Sequence, residues 1–528
     1  MSEFYIPGHV FVVRGNLRLF ACDAWLLPCS HRTIPGNEWF LKDAPVPRRG
    51  TPFVVGGPRV QPLLDAALGR PRPWLGFTGW WGKAIAWYVD VAQEFLDTAS
   101  SDIVSTGHPT LFGRAKPLLA LSVVGTGLGG AAERAGEVVQ ELLPRLWAFA
   151  NRRYPNGREF DVALVCRDAP IYAAAQAERA RQGNWPNDLT PALRVEAERV
   201  AGLAQRGELA LFLGAGVSMA AGYPSWGALL DVLAARAKMA DDERRGLSEL
   251  KNVLDQATIV ERRLKAHGET LGHAVAAVME GRQHYALSHA LLASLPLREA
   301  ITTNYDQLFE RAWEVSDRTG VSVIPGVIQP NARRWLLKMH GCLSDPDRVV
   351  LSRSSYTRYD EQLPGLSGIV QSILVTRHVL FAGFSLNDDN FHRIVDAVRR
   401  LRDTDRPAER FGTVLSLGHA GLAEVLWEDD LHRVRMDDRR EGGAFPFGEA
   451  ARRLEIFLDY LVSRTRGSAH LLVGARFDPL LSSGEKLLRD SLSRFVADVT
   501  GPNTEDVRKT VAWPQIERLL QSLGFEEA

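Results

Sequence analysis

Cysteine is scarce in this chain: four in 528 residues, at positions 22, 29, 166 and 342, with no Cys-X-X-Cys pair. That excludes a disulfide framework and a cysteine-based zinc ribbon, and no metal site is expected. Net charge is missing as well. Lys plus Arg and Asp plus Glu each number 63, so no global field draws the chain to nucleic acid or to an anionic bilayer. No apolar run is long enough to span a membrane. The opening residues, MSEFYIPGHVFVVRG, lack a basic segment followed by an apolar core, so no signal peptide is expected and the cytoplasm is the expected location. Internal repeats and low-complexity tracts are absent too. What remains, 45% hydrophobic and 24% charged, is the balance of a folded protein, long enough for two or three domains.

The chain alternates strand-like and helix-like segments, which predicts an α/β fold. Residues 9–28 hold two short β-rich runs around a Gly-Asn turn, and 118–130 read as a buried strand feeding a glycine loop. A helical stretch over 132–151 leads to a strand over 160–166. The density of Gly, Pro and Asn in 182–191 marks a linker, followed by a helix over 191–205 with Thr190 as N-cap and Pro191 at its first position. Short buried strands are then predicted at 209–213, 300–303, 335–339, 378–382 and 413–417, with helices between them. Beyond 468 the pattern is amphipathic helix. This divides the chain into 1–185, 190–466 and a helical extension, 467–528. Trp74, Trp80, Trp81 and Trp87 have only Lys83 interleaved and read as packing, not as a base-stacking surface.

The most informative stretch is LFLGAGVSMAAGYPSW at 211–226, an apolar run that enters a Gly-X-Gly-X-Ser turn. Glycines at 214 and 216 let a backbone turn tightly and approach a ligand, Ser218 adds a hydroxyl, and a following helix would aim free N–H groups at an anion. Three further elements follow in order: TTNYD at 302–306, KMHG at 338–341 and AGFSL at 382–386.

These four elements together resemble the SIR2 superfamily over roughly residues 195–465. The resemblance implies a doubly wound, Rossmann-type parallel sheet with NAD as substrate. Gly214, Ala215, Gly216 and Ser218 would cradle the pyrophosphate, with Gly222 and Pro224 in the loop beyond. Thr303, Gly341, Gly383, Phe384 and Ser385 would complete the cofactor site. Asn304 and His340 would be catalytic, and Asp306 would hold local geometry or stabilise developing positive charge. Asp388 reads as a cap for the helix that begins near Asn390, and Cys342 as packing.

Departures from the deacylating sirtuins are informative. The four zinc cysteines are absent, the family's Gly-Ile-Pro-Asp-Phe-Arg loop is Gly-Tyr-Pro-Ser-Trp-Gly at 222–227, and its Gln is Thr303. These changes weigh against acyl-lysine chemistry. The pattern is similar instead to the SIR2-like NADases of bacterial antiphage defence, which implies NAD hydrolysis to nicotinamide and ADP-ribose and, by family analogy, a homo-oligomer. ADP-ribosyl transfer, deacylation and a non-catalytic NAD or ADP-ribose sensor stay open as alternatives.

Residues 8–180 resemble a macro domain. RGNL at 14–17 and CDAWLL at 22–27 stand where that family has Gly-Asp-Ile and Val-Asp-Ala-Ile-Val-Asn, and GTGLGG at 125–130 matches its diphosphate loop. Gly125, Thr126, Gly127, Leu128, Gly129, Gly130 and Asn16 are therefore candidate regulatory-nucleotide residues. Asn16 replaces an Asp and Leu27 an Asn, which favours binding over hydrolysis. A nucleotide signal or a phage-derived trigger would act there.

Overall fold

The computed structural model describes residues 6–30, 53–54, 56–63, 71–79, 82–127, 129–154, 157–183, 185–186, 189–316, 320–326, 328–329, 332–401, 410–437, 447–465, 469–500 and 505–525. The chain forms two compact units, one comprising 1–111, 115–189 and 466–528, the other 112–114 and 190–465. The segment after 466, expected as a separate extension, groups with the N-terminal unit. There the turn Ala475–Leu480 approaches the helix Ala135–Ala150 so closely that a Cβ on Gly136 would lie 2.7 Å from the Arg476 carbonyl oxygen. Among the described residues, no helix is long and apolar enough to cross a membrane.

The N-terminal unit is built on six strands: β1 (Val10–Arg14), β2 (Ala24–Cys29), β3 (Val60–Pro62), β4 (Arg72–Phe77), β5 (Leu118–Leu121) and β6 (Asp161–Cys166). Their order is β1-β6-β5-β2-β4-β3, all parallel except the β3–β4 edge pair. Asn16 and the Gly125–Gly130 loop follow β1 and β5, so both stand at the carboxyl end of the sheet with β6 between their strands. Gly125 is at φ +82° and a Cβ there would lie 2.4 Å from the Tyr88 ring, whose hydroxyl donates to the Gly129 carbonyl at 2.8 Å. Asn16 Oδ1 accepts from Arg18 N at 3.2 Å and caps a short turn. Leu128 lies outside the described residues, as do Trp80 and Trp81. Trp74 is buried against Phe95, and Trp87 carries the Arg59 and Lys83 cations on its ring, in keeping with packing.

The C-terminal unit holds seven strands: β7 (Leu209–Leu213), β8 (Glu299–Thr302), β9 (Val321–Ile324), β10 (Arg334–Lys338), β11 (His378–Ala382), β12 (Gly412–Ser416) and β13 (Leu431–Arg435). Every pair is parallel, in the order β13-β12-β11-β7-β8-β10-β9. Continuous apolar runs suit such strands because both faces are covered: β7 reads LALFL and is wholly buried. From β7 the chain adds β8, then β9 at the edge, inserts β10 between them, and returns to place β11 on β7's other side. That reversal makes a crevice at the carboxyl ends of β7 and β11, where doubly wound sheets bind ligands. The helix Pro191–Gln205 leads into β7, with the Thr190 hydroxyl accepting from Leu193 N at 3.3 Å as the predicted cap.

Candidate functional site

All four motifs emerge at the carboxyl ends of adjacent strands. Residues 214–218 follow β7, 303–306 follow β8, His340 follows β10 and 383–386 follow β11. A cavity of about 900 Å³ opens there, within the range of sites that hold small molecules. Asn304, His340, Asp306, Thr303, Ala215, Gly216, Ser218, Pro224, Gly383, Phe384 and Ser385 all border it. Gly222 and Gly341 turn the chain at φ +86° and +89° and are not among the bordering residues. The Gly222 carbonyl takes a hydrogen bond from Arg282 Nε at 3.0 Å.

The glycines serve a purpose beyond ligand approach. A Cβ on Gly214 would lie 2.5 Å from the Gly383 carbonyl oxygen, one on Gly216 would lie 2.9 Å from Gly383 Cα, and one on Gly383 would lie 2.5 Å from Val217 N. The two loops therefore pack backbone against backbone, tied by Gly216 N donating to Gly383 O at 2.9 Å. That N–H is already committed, and the helix that holds it, Ala215–Met219, is a single turn of five residues with little dipole. One N–H of the expected phosphate cradle, that of Gly216, is thus taken by Gly383. Lys251 and Arg433 also border the cavity and supply cationic side chains that the motif reading missed. Phe384 sits mainly in an aromatic cluster, 4.5 Å from Phe212 and 5.2 Å from Phe391 between ring centroids.

Asn304 is fixed by its turn. Thr302 Oγ1 donates to Leu213 O at 3.2 Å and accepts from Asn304 N at 3.0 Å. The Asn304 amide nitrogen donates to Gly214 O at 3.1 Å and to Ser218 Oγ at 3.0 Å. A carbonyl can only accept, so this geometry settles which amide atom is nitrogen. Its Oδ1 is left buried with no hydrogen-bond partner among the described residues.

Ser218 joins the site together. Its hydroxyl donates to Asp306 Oδ2 at 2.8 Å, accepts from Asn304, and lies 3.3 Å from His289 Nε2. His289 Nδ1 accepts from Ala286 N at 3.2 Å, so the proton of the neutral ring is on Nε2 and points to Ser218. With three partners the hydroxyl is saturated, and it holds the Asn304 amide in place. Asp306 is split between two tasks: Oδ2 takes Ser218, while Oδ1 accepts from Leu308 N at 2.9 Å and starts the helix Leu308–Ser316. The buried Lys338 donates to the Asp306 carbonyl and pairs with Glu310 at 2.7 Å. Replacing Ser218 with alanine leaves Asp306 Oδ2 and the His289 N–H without this partner. A stability loss of about 1–3 kcal/mol in urea titration is expected.

His340 is 1% exposed. Burial pushes its pKa below the usual histidine range, and the Asp388 carboxylate acts against that shift. Tyr356 Oη lies 3.5 Å from His340 Nδ1 and donates to Asp388 Oδ2 at 2.8 Å, and that same oxygen lies 3.4 Å from His340 Nε2. Among the described residues, Nε2 has no hydrogen-bond partner. Asp388 does cap its helix, Asp389–Leu401, accepting from Phe391 N at 2.9 Å, but its second oxygen faces the catalytic candidate. Neither Asp388 nor Tyr356 belonged to the predicted site. Leu386, beside them, adopts φ +61°, a left-handed conformation costly for a branched side chain and characteristic of functional loops.

Burial also depresses His284, His289 and His378, each to about 4. In the unfolded chain these rings titrate near 6.5. Between those values the unfolded state binds more protons, so the stability present above pH 6.5 is lost as pH falls toward 4. The urea midpoint is expected to drop between pH 7 and pH 5. An unchanged midpoint would contradict the buried, neutral state of these rings.

Residues 298–429 match the family described as a SIR2-like domain. The C-terminal unit carries a SIR2-like domain. Among curated proteins, the chain is 30% identical over 223 residues to the NAD(+) hydrolase ThsA of Enterococcus faecium, covering 40% of this chain and 45% of that protein. It is 27% identical over 201 residues to the NAD(+) hydrolase ThsA of Bacillus cereus (strain MSX-D12), covering 37% of this chain and 41% of the relative. Defense-associated sirtuin 2 of Bacillus subtilis is 28% identical over 206 residues, covering 38% of this chain and 20% of that protein. The matches thus span less than half the length of each relative.

Proposed function

We propose that this chain hydrolyses NAD to nicotinamide and ADP-ribose, using the SIR2-like domain. The observation that carries the reading is the pair of buried, unpartnered polar atoms on cavity-lining residues, Asn304 Oδ1 and His340 Nε2. Buried polar atoms rarely stay unpaired, and these two are acceptors suited to a ribose hydroxyl and a water. The names of the relatives support the same reading.

In this account, the bond between the nicotinamide ring nitrogen and ribose C1′ breaks, and its electron pair stays on that nitrogen, which becomes neutral. Water oxygen forms the new bond to C1′ and its proton passes to His340 Nε2, then to solvent. The transition state is oxocarbenium-like, as in glycoside cleavage. Asn304 orients the nucleophile through Oδ1. His340 is neutral near pH 7 because it is buried, so its lone pair is ready to accept the proton. The dinucleotide phosphates meet Lys251 and Arg433 more than the single-turn helix at Gly216.

The role we assign is depletion of NAD in antiphage defence. The trigger reaches the N-terminal unit at the carboxyl end of its sheet, where Asn16 and the Gly125–Gly130 loop stand, and a ligand there acts by binding the active state better than the resting one. The active form is a homo-oligomer, by analogy with the family. The test is product analysis in ¹⁸O-water, with and without added ADP-ribose-type nucleotides. Free ADP-ribose carrying one ¹⁸O on C1′ is expected. ADP-ribose attached to protein, or NAD bound without nicotinamide release, would favour a transferase or a sensor.

A further inference from the structure

We propose that Asp388, held in place by Tyr356, is a positioning residue that makes His340 an effective base by fixing its tautomer and stabilising its protonated ring. The proposal rests on the reading of His340 as proton acceptor. The Tyr356 hydroxyl decides the tautomer. It has one proton, and the 2.8 Å bond to Asp388 Oδ2 uses it. Toward His340 Nδ1, 3.5 Å away, Tyr356 therefore offers only lone pairs, so the ring proton belongs on Nδ1. Nε2 is left with its lone pair and no hydrogen-bond partner, which is what a base requires.

Asp388 Oδ2 lies 3.4 Å from Nε2. Between a carboxylate and a bare nitrogen lone pair there is no attraction. Once Nε2 takes a proton, the same contact becomes an ion pair inside a buried site, where charge interactions are strong. The contact thus favours the state in which His340 has accepted the proton and adds little before it, which is the differential stabilisation that speeds a reaction. The groups around the ring are few. Among the described residues, Asp388 from the segment after β11 and Tyr356 and Tyr359 from the short helices after β10 face it, while Tyr305 and Asp389 act on Tyr356. Asp388 is the acid whose charge acts on His340, opposing the shift caused by burial.

The sequence encodes both halves of this arrangement without announcing them. Asp388 stands at an N-cap, where Asp is common for a purely structural reason. Tyr356 lies in the helix Arg353–Thr357, 16 residues beyond His340, and reaches the ring only through the fold.

Two substitutions test it in the full chain: Asp388→Asn and Tyr356→Phe. Asparagine keeps an oxygen for the Phe391 N–H cap, so the helix should stay formed while the charge is removed. For Asp388→Asn, kcat for NAD should fall about 10- to 100-fold at pH 7.5 with KM little changed, and the acid limb of the kcat profile should move to lower pH because His340 loses the charge that raises its pKa. Tyr356→Phe should lower kcat less. Unaltered kcat in Asp388→Asn, or a lower kcat with an unmoved acid limb, would overturn the proposal. A second readout does not depend on turnover: ¹⁵N spectra of histidine-labelled protein, with His340 assigned by its loss in His340→Ala. The native ring should be protonated on Nδ1 and titrate at lower pH in Asp388→Asn. An Nε2–H ring, or the same titration in both proteins, would also overturn it. Full turnover in His340→Ala would instead remove the parent reading.

Discussion

Alanine at His340 or at Asn304 is expected to abolish nicotinamide release and leave the chain folded. The loss should be about 10²- to 10⁴-fold in kcat for His340, the usual contribution of a positioned base. The unpaired atoms explain why the folded state tolerates the change. His340 Nε2 makes no hydrogen bond to lose, and Asn304 Oδ1 makes none either. The Asn304 amide nitrogen does donate to Gly214 O and Ser218 Oγ, so the Asn304 variant should show the larger drop in thermal stability of the two. Circular dichroism melts beside the turnover assay separate loss of chemistry from loss of fold. Substantial turnover in either variant would refute the assignment of that residue.

Gly383→Ala is expected to damage both stability and activity. Gly383 is at φ +64°, and its added Cβ would sit 2.5 Å from Val217 N, a backbone atom on the facing loop. Left-handed strain costs about 1 kcal/mol and overpacking about 1–3 more, so a loss of about 2–4 kcal/mol in urea titration is expected. Because the displaced atoms belong to the loop that carries Ser218, NAD cleavage should fall with it. Gly368→Ala is the control of opposite sign. It lies in the helix Pro364–Thr376, and an added Cβ there would meet nothing within 4 Å, so alanine should add about 0.5–1 kcal/mol. Equal effects at the two positions would refute the loop-packing account.

Much of the C-terminal unit could be read from residue order alone. Five buried strands were legible because each is a short apolar run between turn signals, and the structure places all five within about one residue of expectation. Strands β9 and β13 were missed. VSVI lies half-exposed at one edge, and LHRVR alternates buried Leu431 and Val434 with half-buried His432, Arg433 and Arg435, so neither shows a continuous apolar run. The motif residues converge because all four motifs follow strands at one end of a parallel sheet. The bonds that tie Ser218 to Asp306 and Gly216 to Gly383 were not legible, since a Gly-X-Gly-X-Ser string does not show which groups of its own fold it meets. Tyr356 and Asp388 lie in stretches, 350–359 and 383–388, that resemble the NADase branch, but their contact with His340 is seen only in the fold, and Lys251 and Arg433 join the site only through it. In the N-terminal unit, the glycine loop after β5 was readable as a loop, but its closeness to Tyr88 required the tertiary structure.

The most direct test of the central claim is nicotinamide release from NAD by the purified full chain, beside its His340→Ala variant and with candidate nucleotides added to both. The account predicts release by the native chain and none above background by the variant. Equal release from the two proteins would contradict it.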